Sequence, residues 1–107
     1  MKRGEVWWAN LPPPAGRRPV VLLSRDAAYA VRSSVTIAEV SSTIRLIPSE
    51  LALGPADGLP RACVANADNL VTIPKAWLDG RIAALSPAKL AAVEAAIQFA
   101  LALPSGH

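Results

Sequence analysis

A chain of 107 residues is long enough for one modest core and too short for two, so residues 1–107 read as a single domain. Apolar residues at 52% and charged residues at 18% exclude an unstructured chain, and no stretch approaches the ~18 uncharged apolar residues of a bilayer span. The net charge of +3 permits a polyanionic partner without requiring one, while a lone cysteine, Cys63, excludes a disulfide framework and a cysteine–histidine metal site.

The start, "MKRGE", lacks the apolar run and small-residue cleavage site of a secretory signal, so the expected compartment is the reducing cytoplasm, with no membrane attachment. Residues 5–10, "EVWWAN", read as a strand with Trp7 and Trp8 on opposite sides. One of them belongs to the core. The other lies over the sheet or at an interface, and an aromatic beside a basic cluster can also stack a nucleic-acid base. Residues 11–16 contain three consecutive prolines and a glycine and must turn. Residues 19–24 are a nearly unbroken apolar run of strand length, the pattern of a central strand, and two arginines, Arg17 and Arg18, stand at its mouth.

Residues 25–34 read as a loop holding a helical turn, and 35–42, "VTIAEVSS", as the clearest strand, rich in β-branched residues. Its period of two places Val35, Ile37, Glu39 and Ser41 on one face, which begins apolar and ends with a carboxylate and a hydroxyl. Such a strand either enters a groove or emerges into solvent. A short edge strand interrupted by Pro48 is expected within 45–53, a loop at 54–60, a strand over 62–71 and a helical turn at 74–78. Asn66, Asp68 and Asn69 disfavour a strand, which invites a functional explanation. Ser86 as N-cap and Pro87 at the first helical position open a C-terminal helix. Leu90, Val93, Ile97 and Leu101 form one apolar stripe on it, and Ala92, Ala96, Phe99 and Leu103 a second. A helix apolar on two sides covers its own sheet and, on the second side, a partner subunit. The one histidine, His107, reads as a chain end and not as a ligand.

The chemistry open to these residues is narrow. There is no phosphate-cradling glycine loop and no serine–histidine pair. Arginine, hydroxyl and carboxylate side chains suit phosphodiester chemistry on RNA, whose 2′-hydroxyl is a built-in nucleophile.

Five motifs in order, "KRGEVWWANL", "GRRPVVLLS", "VTIAEVSS", "GLPRACVANADNLVTIPK" and "LSPAKLAAVEAAI", make residues 2–103 resemble the MazF/PemK (Kid-like) family of toxin components. The resemblance implies a mainly β fold, an SH3-like small β-barrel of the CcdB/PemK-like kind with a C-terminal α-helix, assembled as a homodimer. It also implies a metal-independent, cofactor-free endoribonuclease that cuts single-stranded RNA at short sequences. Attack by the 2′-hydroxyl leaves a 2′,3′-cyclic phosphate and a 5′-hydroxyl, and a cognate antitoxin blocks the groove.

Carried over by motif, the catalytic arginine before the proline of the second strand is Arg18, and the catalytic hydroxyl closing the third strand is Ser41. Ser42 or Thr43 is the donor if the register shifts. Asp68 and Asn69 stand where the family has an acidic residue followed by glutamine in the RNA groove. Arg17 is an auxiliary phosphate contact or a solvated neighbour, and Glu39 or Asp68 is the candidate base. "PPPAGR" is shorter than the family's loop between its first two strands, which leaves RNA specificity open. A non-enzymatic gyrase-poisoning toxin of the related barrel fold, or a degenerate antitoxin- or RNA-binding member, is the alternative reading.

Overall fold

β-branched and aromatic residues decide where this chain extends. The computed structural model describes residues 1–104, and His107 lies outside the described residues. In chain order the strands are β1 (Glu5–Asn10), β2 (Arg17–Leu22), β3 (Ser34–Ser41), β4 (Glu50–Leu53), β5 (Cys63–Pro74) and β6 (Leu78–Ala84). A short helix, α1 (Ala28–Val31), follows β2, and α2 (Pro87–Ala100) ends the fold. All neighbouring strands pair antiparallel in one curled sheet, a half-barrel of order β4-β5-β3-β2-β1-β6.

Three expectations need correction. The second strand starts at Arg17, two residues early, because the backbones of Arg17 and Arg18 pair with Asn10 and Ala9 of β1. The edge strand β4 begins only after Pro48, whose missing N–H would break the ladder. No strand is expected from the sequence over 78–84, yet β6 pairs with β1 from Leu78 opposite Ala9 to Ala84 opposite Glu5.

The sheet is buried on both faces in its centre. Val20, Leu22, Val35, Ile37 and Tyr29 form one core, with Trp7 and Trp77 at its margin. Val6, Val21, Ala38, Val40, Leu85 and Val93 belong to the other, which α2 covers. Ser86 caps α2 by accepting the Lys89 N–H at 3.1 Å, and its buried Val93 contributes about 1.5–3 kcal/mol. The second apolar stripe behaves differently. Ala96 is buried, but Phe99 and Leu103 are exposed, as is Leu101 beyond the last helical turn.

Edge strands β4 and β6 share no ladder, so packing draws the curled sheet together. After β4 a 3-10 turn, Pro55–Asp57, leads to Gly58, whose φ of +91° is left-handed. A Cβ at Gly58 would lie 2.7 Å from the Ala83 Cβ on β6, so the two ends of the sheet meet where only glycine fits.

Glu5 ties the N-terminus to the closing strand. One carboxylate oxygen accepts from the Lys2 N–H and Trp7 Nε1, each at 3.0 Å, and the other from Arg81 Nε at 3.0 Å. Burial alone would raise its pKa, but these three donors together with the nearby N-terminal ammonium outweigh it and hold the carboxyl below its ordinary value. A depressed folded-state pKa means a contribution complete above about pH 4.5 and lost as pH falls through the lower folded value. Glu5→Gln is therefore expected to cost about 1–3 kcal/mol at pH 7. Urea unfolding should show the gap to wild type narrowing by pH 3, whereas a gap independent of pH would contradict this network.

Candidate active site

β2 passes from exposed at Arg17 to fully buried at Val20, which places two guanidinium groups where the central strand leaves the core. β3 leaves it beside them. The antiparallel register pairs Val20 with Glu39 at the last rung between these strands, and Arg18 and Ser41 each lie two residues beyond it along β2 and β3. Both line an open groove of about 430 Å³ together with Trp8, Arg17, Ser42, Thr43, Arg61 and Cys63.

Each arginine has a distinct setting. The Arg18 Nη1 lies 3.5 Å from Glu39 Oε1, and its Nε donates to the Ala15 carbonyl at 3.3 Å. The proline-stiffened turn between β1 and β2 thus helps to aim this side chain. Arg17 lies over the Trp8 ring, 4.5 Å from its centroid, and donates to the Asp79 carbonyl at 3.3 Å and to its carboxylate at 3.4 Å. Side chains this exposed gain little from pairing, about 0.5–1 kcal/mol for the cation–π contact. They can exchange a carboxylate for another anion. Trp7 faces the opposite side, packing on the core and donating to Glu5.

The hydroxyls differ as well. Ser41 Oγ accepts the Thr43 N–H at 3.1 Å, which fixes the side chain in a turn and leaves its proton free to be donated. Ser42 and Thr43 line the same groove but are exposed, without such an anchor. Cys63 is buried, and burial, reinforced by Asp57, pushes its thiol up from the ordinary value, which disfavours the thiolate.

The remaining sequence candidates lie apart. Glu39 touches Arg18 but borders a second, mostly apolar hollow with Leu11, Ile73 and Trp77. Asp68 and Asn69 do not line the groove of this protomer. β3 pairs Ala38 with Leu70 but Glu39 with Asn66, so residues 67–69 bulge out of the ladder. The bulge employs the polar residues that made this strand look unusual. Asn66 Oδ1 accepts the Asp68 N–H at 2.8 Å, Ala67 donates to the Ser49 carbonyl at 2.8 Å, and Asp68 accepts the Ser49 hydroxyl at 2.5 Å. Arg61 was not singled out from sequence. It sits in a loop, and only the fold brings that loop to the groove.

Residues 2–101 match the family model described as PemK-like, MazF-like toxin of type II toxin-antitoxin system. The chain is 38% identical over 100 residues to a probable endoribonuclease MazF5 of Mycobacterium tuberculosis, covering 92% of this chain and 91% of that one. Its fold superposes on the Mycobacterium tuberculosis toxin MazF-mt6 with a TM-score of 0.88 at 29% identity, over 94% of this chain and 99% of the other. It also superposes on a mycobacterial endoribonuclease in complex with its cognate antitoxin, with a TM-score of 0.86 at 30% identity over 99% of both chains. A curled antiparallel sheet with a helix across one face, a groove of arginines and hydroxyls, and a match over nearly its full length place this chain in the PemK-like, MazF-like family of type II toxins.

Proposed function

We propose that this toxin is an endoribonuclease whose groove cuts single-stranded RNA with the substrate's own 2′-hydroxyl as nucleophile. The observation that carries the reading is the convergence of Arg18 and Ser41 on one open groove. A phosphodiester lying there meets a planar, permanently charged donor and a hydroxyl donor on adjacent strands. As the 2′-oxygen bonds to phosphorus, negative charge gathers on the non-bridging oxygens, and Arg18 and Ser41 stabilise it. The 2′-hydroxyl proton passes to a base, for which Glu39, which borders the neighbouring hollow and meets the site only through its pairing with Arg18, is the candidate. The bond to the 5′-oxygen then breaks, and that oxygen takes up a proton from water, while the base releases to water the proton it accepted. The products are a 2′,3′-cyclic phosphate and a 5′-hydroxyl, and no step is assigned to a metal or cofactor.

Arg17, Ser42 and Thr43 hold neighbouring phosphates in this reading, while Asp68 and Asn69, which do not line this groove, are assigned no contact within it. Relatives named endoribonucleases, one solved with its cognate antitoxin, support both the activity and a protein inhibitor as partner. The exposed apolar residues at and just beyond the end of α2, Phe99, Leu101 and Leu103, support a homodimer. No helix among the described residues is long and apolar enough to cross a membrane, and the cytoplasm is the proposed site of action.

Incubation with a long single-stranded RNA in the presence of chelator tests the reading. Discrete fragments with 5′-hydroxyl ends are expected. Intact RNA together with a loss of gyrase supercoiling would overturn it in favour of a non-enzymatic poison.

A further inference from the structure

We propose that Arg61 anchors a phosphate of the bound RNA other than the scissile one, acting on substrate binding and not on the chemical step. The inference rests on the ribonuclease reading of the groove. Its physical basis is the difference between the three arginines that line that groove. Arg17 is paired with Asp79 and Arg18 with Glu39. Arg61 is exposed and has no ion pair or side-chain hydrogen bond among the described residues. An incoming phosphate must compete with a carboxylate for the first two, but it meets Arg61 without competition.

The position fits the role. Arg61 follows Leu59, buried at 3% exposure, and Pro60, which restricts the backbone just before it, and it precedes the buried Cys63 that opens β5. Its Cα is thereby fixed to the core while the long side chain stays free at the rim. It enters the groove from the segment between β4 and β5, whereas Arg17 and Arg18 come from β2, so a strand of RNA is flanked by charge from separate segments. A guanidinium there touches backbone oxygens, which every RNA presents, so the contact positions the chain without reading its sequence.

The test measures binding of wild type, Arg61→Ala and Arg61→Lys to an RNA carrying a 2′-deoxy substitution at the cleaved position, across a salt series, beside steady-state cleavage of the all-ribose RNA. Each phosphate contact on a single strand contributes about 0.7 to the slope of log affinity against log salt. Arg61→Ala is expected to lower the slope by about that amount and to raise KM about three- to tenfold with kcat within twofold. Arg61→Lys, which keeps the charge, should retain the slope. Matched and mismatched RNAs should weaken alike, and thermal stability should be unchanged, because Arg61 supports no other side chain. An unchanged slope and KM in Arg61→Ala, with wild type binding and cutting normally, would overturn the inference, as would a fall in kcat alone or a loss confined to one RNA sequence. Wild type that neither binds nor cuts RNA would instead remove the ribonuclease reading beneath it.

Discussion

Arg18→Ala is expected to reduce the rate of RNA cleavage by about 10²–10³-fold, the usual loss when one preorganised donor to a developing oxyanion is removed. The side chain has no structural substitute. Among the groove arginines it alone is paired with Glu39 and braced by the Ala15 carbonyl. Because its ion pair is partly exposed, the fold should tolerate the change with a loss of no more than about 1 kcal/mol. Arg18→Lys keeps the charge but not the planar fork, so an intermediate rate is expected. Ser41→Ala should fall by a comparable factor if the hydroxyl donates to the same oxygen, and the double variant should be little worse than the poorer single one. Single-turnover cleavage with folded variants checks the set. Activity of Arg18→Ala within threefold of wild type would remove Arg18 from the mechanism.

Gly58→Ala is expected to be the most damaging single methyl group in the fold. The left-handed backbone costs a residue with a Cβ about 1–2 kcal/mol, and forcing that Cβ against Ala83 adds about 1–3 kcal/mol. Against a total stability of about 5–15 kcal/mol, this is enough to shift the urea midpoint markedly. Ala83→Gly in the same chain should relieve the steric part and leave the backbone part. Such partial recovery would show that the ends of the sheet close by packing. An unchanged midpoint in Gly58→Ala would mean that the turn after β4 does not rest on β6.

What the sequence could and could not announce follows from how local each cause is. β1, β3 and α2 carry their own instructions in β-branched and aromatic runs or in a cap followed by a 3.6-residue stripe, so their positions are legible. β6 is not, because "LDGRIAA" includes Asp79 and Gly80 and extends only through its ladder with β1. The same division runs through the site. Arg17, Arg18 and Ser41 stand at strand ends, and it is the resemblance to the family's motifs that marks them as a site. Arg61 sits in a loop delivered to the groove by the return from β4 to β5, for which no local pattern exists. The polar cluster around Asp68 gave a real signal, an unusual composition for a strand, and the bulge held by Ser49 accounts for it. Other arginines of the first half are engaged away from the site. Arg3 pairs with Glu94 and Arg45 with Glu50, and only the β2 pair reaches the groove.

The most direct measurement uses one defined RNA that the protein cuts at a mapped position, compared with the same RNA lacking only the 2′-hydroxyl of the nucleotide on the 5′ side of that bond. With the substrate supplying its own nucleophile, the all-ribose strand should yield a 2′,3′-cyclic phosphate and a 5′-hydroxyl, while the substituted strand stays intact at that bond yet still binds. Cleavage of the substituted strand at a similar rate would show that another nucleophile attacks the phosphorus, and would contradict the mechanism built on Arg18 and Ser41.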